Sequence, residues 1–559
     1  MTVPVATRRT TPPFGFSSCV RIAAVLSVIA SFVWSWQRLD MSVLGFFSDL
    51  QNVSNLLKRM YPPDFADTPR IIMLTLETLW IALLGTFGAV ILSYPLAFGA
   101  AQNTTRHPVV RQMCRGIITL SRAIPELILA AIFVAAFGPG PLAGVLAIAL
   151  HSVGMIGRLF GDSIEEADHT SGEAIMSVGA TRRQRLRSAV VPQALPSFVA
   201  TALFRLEINI RGSAVLGLVG AGGIGQLISE SLETIQYKPA LAAVAVVFVV
   251  ILAVELVSTS VRQSLIGRQA TAAQNDSRWR FASVMNRRNA GLYEQAHSSR
   301  KLSPPWTSDR LFRVLVFGSL AALVLFSAIA IDVDWIHSWR NVDKMTLIIR
   351  QMFPPGTGGE TRLIVSGLVE SVAISIVSTF LGVIVALPLG ILMARNMVAS
   401  RIVGYVVRIA VLALRGIPEL VIAVIFVSAM GLGPVPGTLA LSVTVAVFAA
   451  KLFADSLENL SSAPRDATVA VGATRMQEWV AAVVPQFISP FVSNLSYLLD
   501  VYFRSSTVLG IVGGGGIGYL LIQSIRVYQF KITMTIVISI FVIVLAIEWI
   551  GHGMRRLFR

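Results

Sequence analysis

From Ala240 to Val257 the chain reads ALAAVAVVFVVILAVELV, with a single charge near its end. A helix of about 20 apolar residues crosses the hydrocarbon core of a bilayer. Comparable runs recur along the whole chain, so the fold class is an all-α membrane protein. Lipid offers no hydrogen bonds to free peptide groups, and this forces most of the backbone into helices. Charged residues make up only 14% of the chain, against about 25% in a soluble domain.

Slid on itself by 293 residues, the chain matches itself in register over long stretches. IPEL at Ile124–Leu127 falls on IPEL at Ile417–Leu420, Pro95 on Pro388, and Glu77 on Glu370. VLGLVGAGGIG (Val215–Gly225) falls on VLGIVGGGGIG (Val508–Gly518). Two homologous halves follow, 1–262 and 311–559, joined by a linker over 263–310. The linker is polar and reads as a disordered tether. Its excess of arginine assigns it to the cytoplasm. Both halves then start and end inside, with both chain termini cytoplasmic, so each crosses the membrane an even number of times. They are parallel, pseudo-symmetric repeats of about six helices each. The apolar runs supply six spans per half, with 115–137 and 408–431 each read as one span. The run Cys19–Trp36 lacks a small-residue cleavage site and reads as a retained first helix.

The net charge of +16 does not point to nucleic acid. Arginines cluster at the ends of apolar runs, as the positive-inside rule expects, and no basic module with interleaved aromatics occurs. Cys19 and Cys114 offer neither a disulfide framework nor metal-ligand spacing. No GxxxxGK[ST] occurs, so ATP binding of the P-loop kind is not expected. GLVGAGGIG lacks the flanking strand of a dinucleotide site. There is no nucleophile–base constellation. The chain is therefore read as a non-enzyme without cofactor or metal.

MSVGATRRQRLRSAVVPQA (Met176–Ala194) recurs as VAVGATRMQEWVAAVVPQF (Val469–Phe487), between the fourth and fifth spans of each half. The preceding residues form short amphipathic segments, with Ala174, Ile175 and Val178 on one apolar side. Taken alone, one copy reads as an interfacial helix lying against headgroups. Two copies in register, each with a glycine at the same place, point instead to a tight turn or a close approach. The stretch resembles the cytoplasmic coupling loop of ABC-importer permeases, whose pattern runs Glu-Ala-Ala, Gly, then Ile-x-Leu-Pro. Half one supplies Glu173, Ala174, Gly179, Ala180 and Pro192. Half two supplies Asp466, Ala467, Gly472, Ala473 and Pro485. RAIPEL (Arg122–Leu127), YPPDF (Tyr61–Phe65) and EINIRGSAVLGLVGAGGIG (Glu207–Gly225) resemble the phosphonate branch of that family. The resemblance implies the type I ABC importer transmembrane fold and a permease for phosphonates, with phosphate and phosphite as related oxyanions. It also implies two separate ATPase subunits docked on the two loops, and an extracytoplasmic phosphonate-binding protein. The family usually encodes one half per chain; this chain is a tandem fusion. Permeases for methionine and quaternary amines share the looser pattern. A reading from another class is an integral membrane enzyme acting on lipid phosphates, which the missing catalytic cluster disfavours.

Charges inside spans are costly and mark partners or pathways. Glu207 with Arg211, and Asp500 with Arg504, stand four residues apart, which puts acid and base on one helix face. Two readings stand side by side. In one, the pairs are structural and neutralise each other. In the other, Arg211 and Arg504 face each other across the pseudo-twofold axis and line the pathway for an anion, helped by Ser213, Ser505, Ser506 and Thr507. Guanidinium suits an oxyanion through bidentate geometry. Arg122 with Glu126, and Arg415 with Glu419, are spaced the same way beside Pro125 and Pro418. They read as inter-helix packing and gate structure. Gly222, Gly223, Gly515 and Gly516 read as a close-packed, flexible turn of that gate.

Overall fold

A computed structural model of the chain describes residues 16–105, 107–273, 308–331, 333–334, 342–398 and 400–557. Among the described residues every regular element is helical. Half one runs α1 (Phe16–Arg38), α2 (Val43–Met60), α3 (Thr68–Ala100), α4 (Pro108–Ala123), α5 (Glu126–Phe137) and α6 (Pro141–Glu165). It continues with α7 (His169–Ser177), α8 (Arg182–Arg185), α9 (Val191–Leu216), α10 (Ile224–Glu233) and α11 (Tyr237–Ala273). Half two repeats this order. Its elements are α12 (Ser308–Ala330), α13 (Val342–Met352), α14 (Thr361–Met393), α15 (Arg401–Arg415), α16 (Glu419–Met430) and α17 (Pro434–Glu458). Then follow α18 (Ala463–Ala470), α19 (Arg475–Glu478), α20 (Val484–Leu509), α21 (Ile517–Arg526) and α22 (Phe530–Leu557). Helix α11 carries 263–273, residues assigned above to the linker. Residues 308–310 of that linker open α12, and 274–307 lie outside the described residues.

Nine helices among the described residues are long and apolar enough to cross a bilayer. Two bent pairs raise the count to eleven, and Gly318–Ala330 is a shorter apolar helix. The runs 115–137 and 408–431, expected as single spans, are broken. Helices α4 and α5 meet at 87°, α15 and α16 at 79°. Pro125 and Pro418 stand at the breaks, where proline removes a backbone donor and its ring clashes with the preceding turn. Proline has a second effect before α9 and α20. A five-residue π-helical turn covers Leu186–Val190 in half one and Trp479–Val483 in half two. Each lies just ahead of a proline, Pro192 or Pro485.

The helices gather into two compact units that cut across the repeat. One is Pro63–Leu347; the other joins Met1–Pro62 to Ile348–Arg559. In the first, α3 runs along α6 and α9, α11 covers α9, and α12 packs on α3. In the second, α14 runs along α17 and α20, α22 covers α20, and α1 packs on α14. Small residues let these backbones approach, the device membrane helices use where lipid gives no hydrophobic drive. A Cβ on Gly85 would stand 2.6 Å from Ile148, and one on Gly382 2.4 Å from Val445. Each half thus lends its first helix to the unit built on the other half's core.

Candidate functional site

Helix α9 sets the first cluster. Arg211 Nη2 donates to Glu207 Oε1 at 2.9 Å, one turn back, and to Glu255 Oε2 at 3.3 Å from α11. All three are largely buried, with side-chain exposures of 18%, 3% and 15%. In half two, Arg504 bonds the Asp500 carboxylate, and its Nε donates to the Asp500 carbonyl at 3.3 Å. The spacing announced both pairs. Glu255 was missed, although it is the lone charge in the apolar run 240–257. The same 293-residue register puts Glu548 of α22 at the equivalent position.

Of the hydroxyls flanking these arginines, Ser213 and Ser506 reach a neighbouring helix and Thr507 bonds its own. Ser213 Oγ donates to Thr78 O and Ile210 O, both at 3.0 Å, and is fully buried. Ser506 donates to Ser371 O at 2.9 Å, and Thr507 to Arg504 O at 2.7 Å. Ser505 differs: it donates to both carboxylate oxygens of Glu419, at 3.0 and 3.2 Å.

The breaks separate the residues that spacing had paired. Arg122 lies in the last turn of α4 and Glu126 opens α5, so the one-face argument for this pair fails, and likewise for Arg415 and Glu419. The helical periodicity it assumed stops at each Pro. Glu126 instead has Arg205 of α9 4.0 Å away. Arg205 Nε donates to Ser152 Oγ at 3.0 Å, Ser152 to Asn209 Oδ1 at 3.2 Å, and Asn209 Nδ2 to Thr86 Oγ1 at 2.8 Å. The carbonyl of Ile124, left without a helical partner by the break, meets His151 Nδ1 at 2.9 Å. Sequence reasoning overlooked this network. Its signal was a second arginine, two residues before Glu207, within one apolar run.

The glycine-rich turns press on α3 and α14. A Cβ on Gly222 would stand 2.5 Å from Glu77 Oε1, and one on Gly515 2.6 Å from Glu370 Oε1. The same carboxylates accept from Gly223 N at 3.2 Å and Gly516 N at 2.9 Å. Glycine is needed here because an acid of the neighbouring helix occupies the side-chain volume.

The repeated loops share one geometry. Gly179 follows α7 with φ +85° and Gly472 follows α18 with φ +80°, and no atom lies within 4 Å of a Cβ built on either. Their requirement is conformational: a left-handed turn that ends a helix. Next comes a capping box, Thr181 with Gln184 and Thr474 with Gln477. Thr181 N donates to Gln184 Oε1 at 2.7 Å, Thr474 N to Gln477 Oε1 at 2.8 Å. Glu173, Ala174, Asp466 and Ala467 are exposed, as are Pro192 and Pro485. Ala180 and Ala473 are half-buried. Apolar side chains stand open around the turns: Val178 and Val471 are each 82% exposed. Asp168 caps α7, and hydrogen bonds from Thr170, side chain first and then backbone, hold its carboxyl below the usual range.

Two broken-helix cores and two equal exposed turns define a duplicated membrane permease. The chain belongs to the family of binding-protein-dependent transport system inner membrane components, whose profile matches residues 93–267 and again 386–558. It has the type I ABC importer transmembrane fold, with hydrolysis of ATP on separate subunits and a substrate-binding protein as partner. It is 40% identical over 526 residues to the phosphate-import permease protein PhnE of Mycolicibacterium smegmatis, covering 94% of this chain and 92% of the relative. The phosphite transport system permease protein PtxC of Stutzerimonas stutzeri is 40% identical over 243 residues, 44% of this chain and 88% of that one. A putative cryptic phosphonate transport system permease protein, PhnE2 of Escherichia coli, is 29% identical over 122 residues, 22% of this chain and all of its own length.

Proposed function

We propose that this chain forms the pathway by which phosphonates, with phosphate or phosphite as related oxyanions, enter the cell. The similarity across nearly the whole length to a permease named for phosphate import carries the substrate class. Phosphite and phosphonate permeases among its relatives support it. Arg211 and Arg504 offer guanidinium to the anion, each with its charge balanced at rest by a carboxylate on its own helix. Glu207 and Asp500 hold that balance. Ser505 ties the gate acid Glu419 beside Arg504, Ser213 and Ser506 keep the arginine segments against their neighbouring helices, and Thr507 bonds the Arg504 carbonyl of its own helix. The breaks at Arg122–Glu126 and Arg415–Glu419, with Gly222, Gly223, Gly515 and Gly516, form the gate.

The loops at Gly179 and Gly472 dock two ATPase subunits in the cytoplasm, where both termini and the linker 263–310 also lie. Glu173, Ala174, Ala180 and Pro192, with Asp466, Ala467, Ala473 and Pro485, frame the two docking turns. ATP binding draws the loops together and opens the pathway outward to a loaded phosphonate-binding protein.

Reconstitution tests the reading. Proteoliposomes holding the chain, its ATPase subunits and its binding protein should accumulate labelled methylphosphonate, phosphate or phosphite only with ATP present. Uptake of methionine or a quaternary amine, with none of the phosphorus oxyanions, would refute the substrate class.

A further inference from the structure

The two coupling turns repeat each other in backbone and differ in charge. The loop beside each is braced alike: Asn103 and Asn396 donate through Nδ2 to the Ile164 and Leu457 carbonyls, at 2.6 and 2.8 Å. Left-handed glycine and capping box then follow in the same order in both. Over 172–187 the first copy carries four arginines against the single acid Glu173, a net charge of +3. Over 465–480 the second carries Arg465 and Arg475 against Asp466 and Glu478, a net charge of zero.

The second copy satisfies its charge internally. Arg465 Nε of α18 donates to Glu478 Oε1 of α19 at 2.6 Å, and its Nη1 to the Asn396 carbonyl at 3.0 Å. The pair is largely buried, with side-chain exposures of 27% and 12%. Shifted by 293, these two positions in the first copy hold Gly172 and Arg185. The acid has become an arginine and the arginine a glycine, so neither place supplies a carboxylate. Arg185 lies across that glycine, where a Cβ would stand 3.0 Å from its Nε. It borders a notch with Asn103, Thr104, Arg182 and Leu186. Arg185 Nε is buried and, among the described residues, has no hydrogen-bond partner. A buried donor left unmatched is costly, and more so on a charged group. The positive-inside rule explains arginines that face the cytoplasm; it does not explain one with a buried, unmatched donor.

We propose that the missing carboxylate comes from the ATPase subunit docked on the first turn: Arg185 pairs with an Asp or Glu of that subunit, whereas the second turn, already neutral, docks through shape and apolar contact. The second copy itself shows that a carboxylate fits a guanidinium at this place, and such a pair makes charge-assisted hydrogen bonds. The surroundings agree. Arg182, Arg183 and Arg187 stand exposed around Arg185, so the surface they fit is acidic. At the places of Arg183 and Arg187 the second copy has Met476 and Val480, 74% and 60% exposed, which fit an apolar surface. The inference rests on the permease reading above, in which these turns dock the ATPase.

The test uses the full chain in nanodiscs and its own ATPase subunit. Gly172→Arg with Arg185→Glu copies the second turn's pair into the first, and Arg185→Gln only removes the charge. Binding of the ATPase is titrated at low and at high salt. Both variants should bind about tenfold more weakly than wild type at low salt, and should lose most of its salt dependence, because a charge pair is screened and shape is not. Wild-type affinity and salt dependence in either variant overturn the proposal. A loss seen in bilayers with anionic lipid and absent in neutral ones assigns Arg185 to headgroups and overturns it too. Arg185→Lys keeps the charge and gives a direct check, even where the other variants do not reach the membrane. A carbodiimide joins an amine to a touching carboxylate with loss of water, so this variant should cross-link to the ATPase through position 185. Absence of that product, with the ATPase bound, overturns the proposal. Failure of the ATPase to bind the wild-type chain at either salt overturns the docking reading itself, which separates the two failures.

Discussion

Phe32, in the first half of the sequence, stacks on Phe380, in the second, with ring centroids 4.1 Å apart and planes 27° from parallel. Nearby, Arg38 Nη2 donates to Ser366 Oγ at 3.4 Å. These contacts seat α1 on α14. Phe32→Ala and Phe380→Ala are expected to be non-additive, with a coupling of about 0.5–1.5 kcal/mol, the usual worth of an aromatic pair beyond its area. Thermal unfolding of the two single variants and the double variant in detergent measures it. Strict additivity would show that α1 does not dock there in solution.

Arg211 serves two acids, Glu207 and Glu255. Removing it takes a shared donor from two carboxylates in a largely buried site, where breaking a pair costs about 3–5 kcal/mol. Arg211→Gln is therefore expected to lower the amount of folded protein in the membrane. Glu207→Gln added to it should restore only part of that amount, because Glu255 still lacks its arginine. Glu255→Gln added as a third change should restore the rest. If the arginine also attracts the anion, the charge-free triple variant is abundant yet takes up no substrate. Full uptake by that variant would reduce the cluster to a structural one.

How far the sequence already disclosed this arrangement depended on whether a contact was local. Glu207–Arg211 and Asp500–Arg504 were legible because helical spacing fixes side chains four residues apart. Arg122–Glu126 had the same spacing and misled, since Pro125 bends the chain by 87° between them. Glu255 and Arg205 find partners on other helices, and one sequence carries no register between helices. The equal turns at Gly179 and Gly472 were visible only because the chain states them twice. The crossing of α1 into the other half's unit left no local mark, since its apolar residues fit any lipid-buried face.

The linker should be dispensable. Its sequence from Gln274 to Thr307 is polar and arginine-rich, without the apolar periodicity that a packed element needs. A chain cut near Asn275 and expressed as two pieces is expected to keep most of its uptake. Immunoblots for each piece, read beside uptake, check this; two stable pieces with no transport would contradict it.

The last expectation concerns the coupling turns. At φ +85° and +80°, Gly179 and Gly472 occupy backbone conformations in which a side chain costs about 1–2 kcal/mol. No atom stands within 4 Å of the Cβ that either would carry, so strain confined to the turn is the whole intramolecular effect. The two variants Gly179→Ala and Gly179→Trp separate that strain from docking. Both suffer the backbone cost, and both should remain in the membrane at near wild-type levels. Only tryptophan projects bulk outward, beside the open Val178. If the turn enters a groove on the ATPase, Gly179→Trp should release that subunit or uncouple transport, while Gly179→Ala retains most of both. Gly472→Trp should do the same at the second turn, since its capping box repeats the first. Co-purification of the ATPase through a tag on the permease, read together with uptake, checks each variant. Equal losses for alanine and tryptophan would assign the effect to strain. Normal co-purification and uptake in both tryptophan variants would place the ATPase contact elsewhere on the cytoplasmic face.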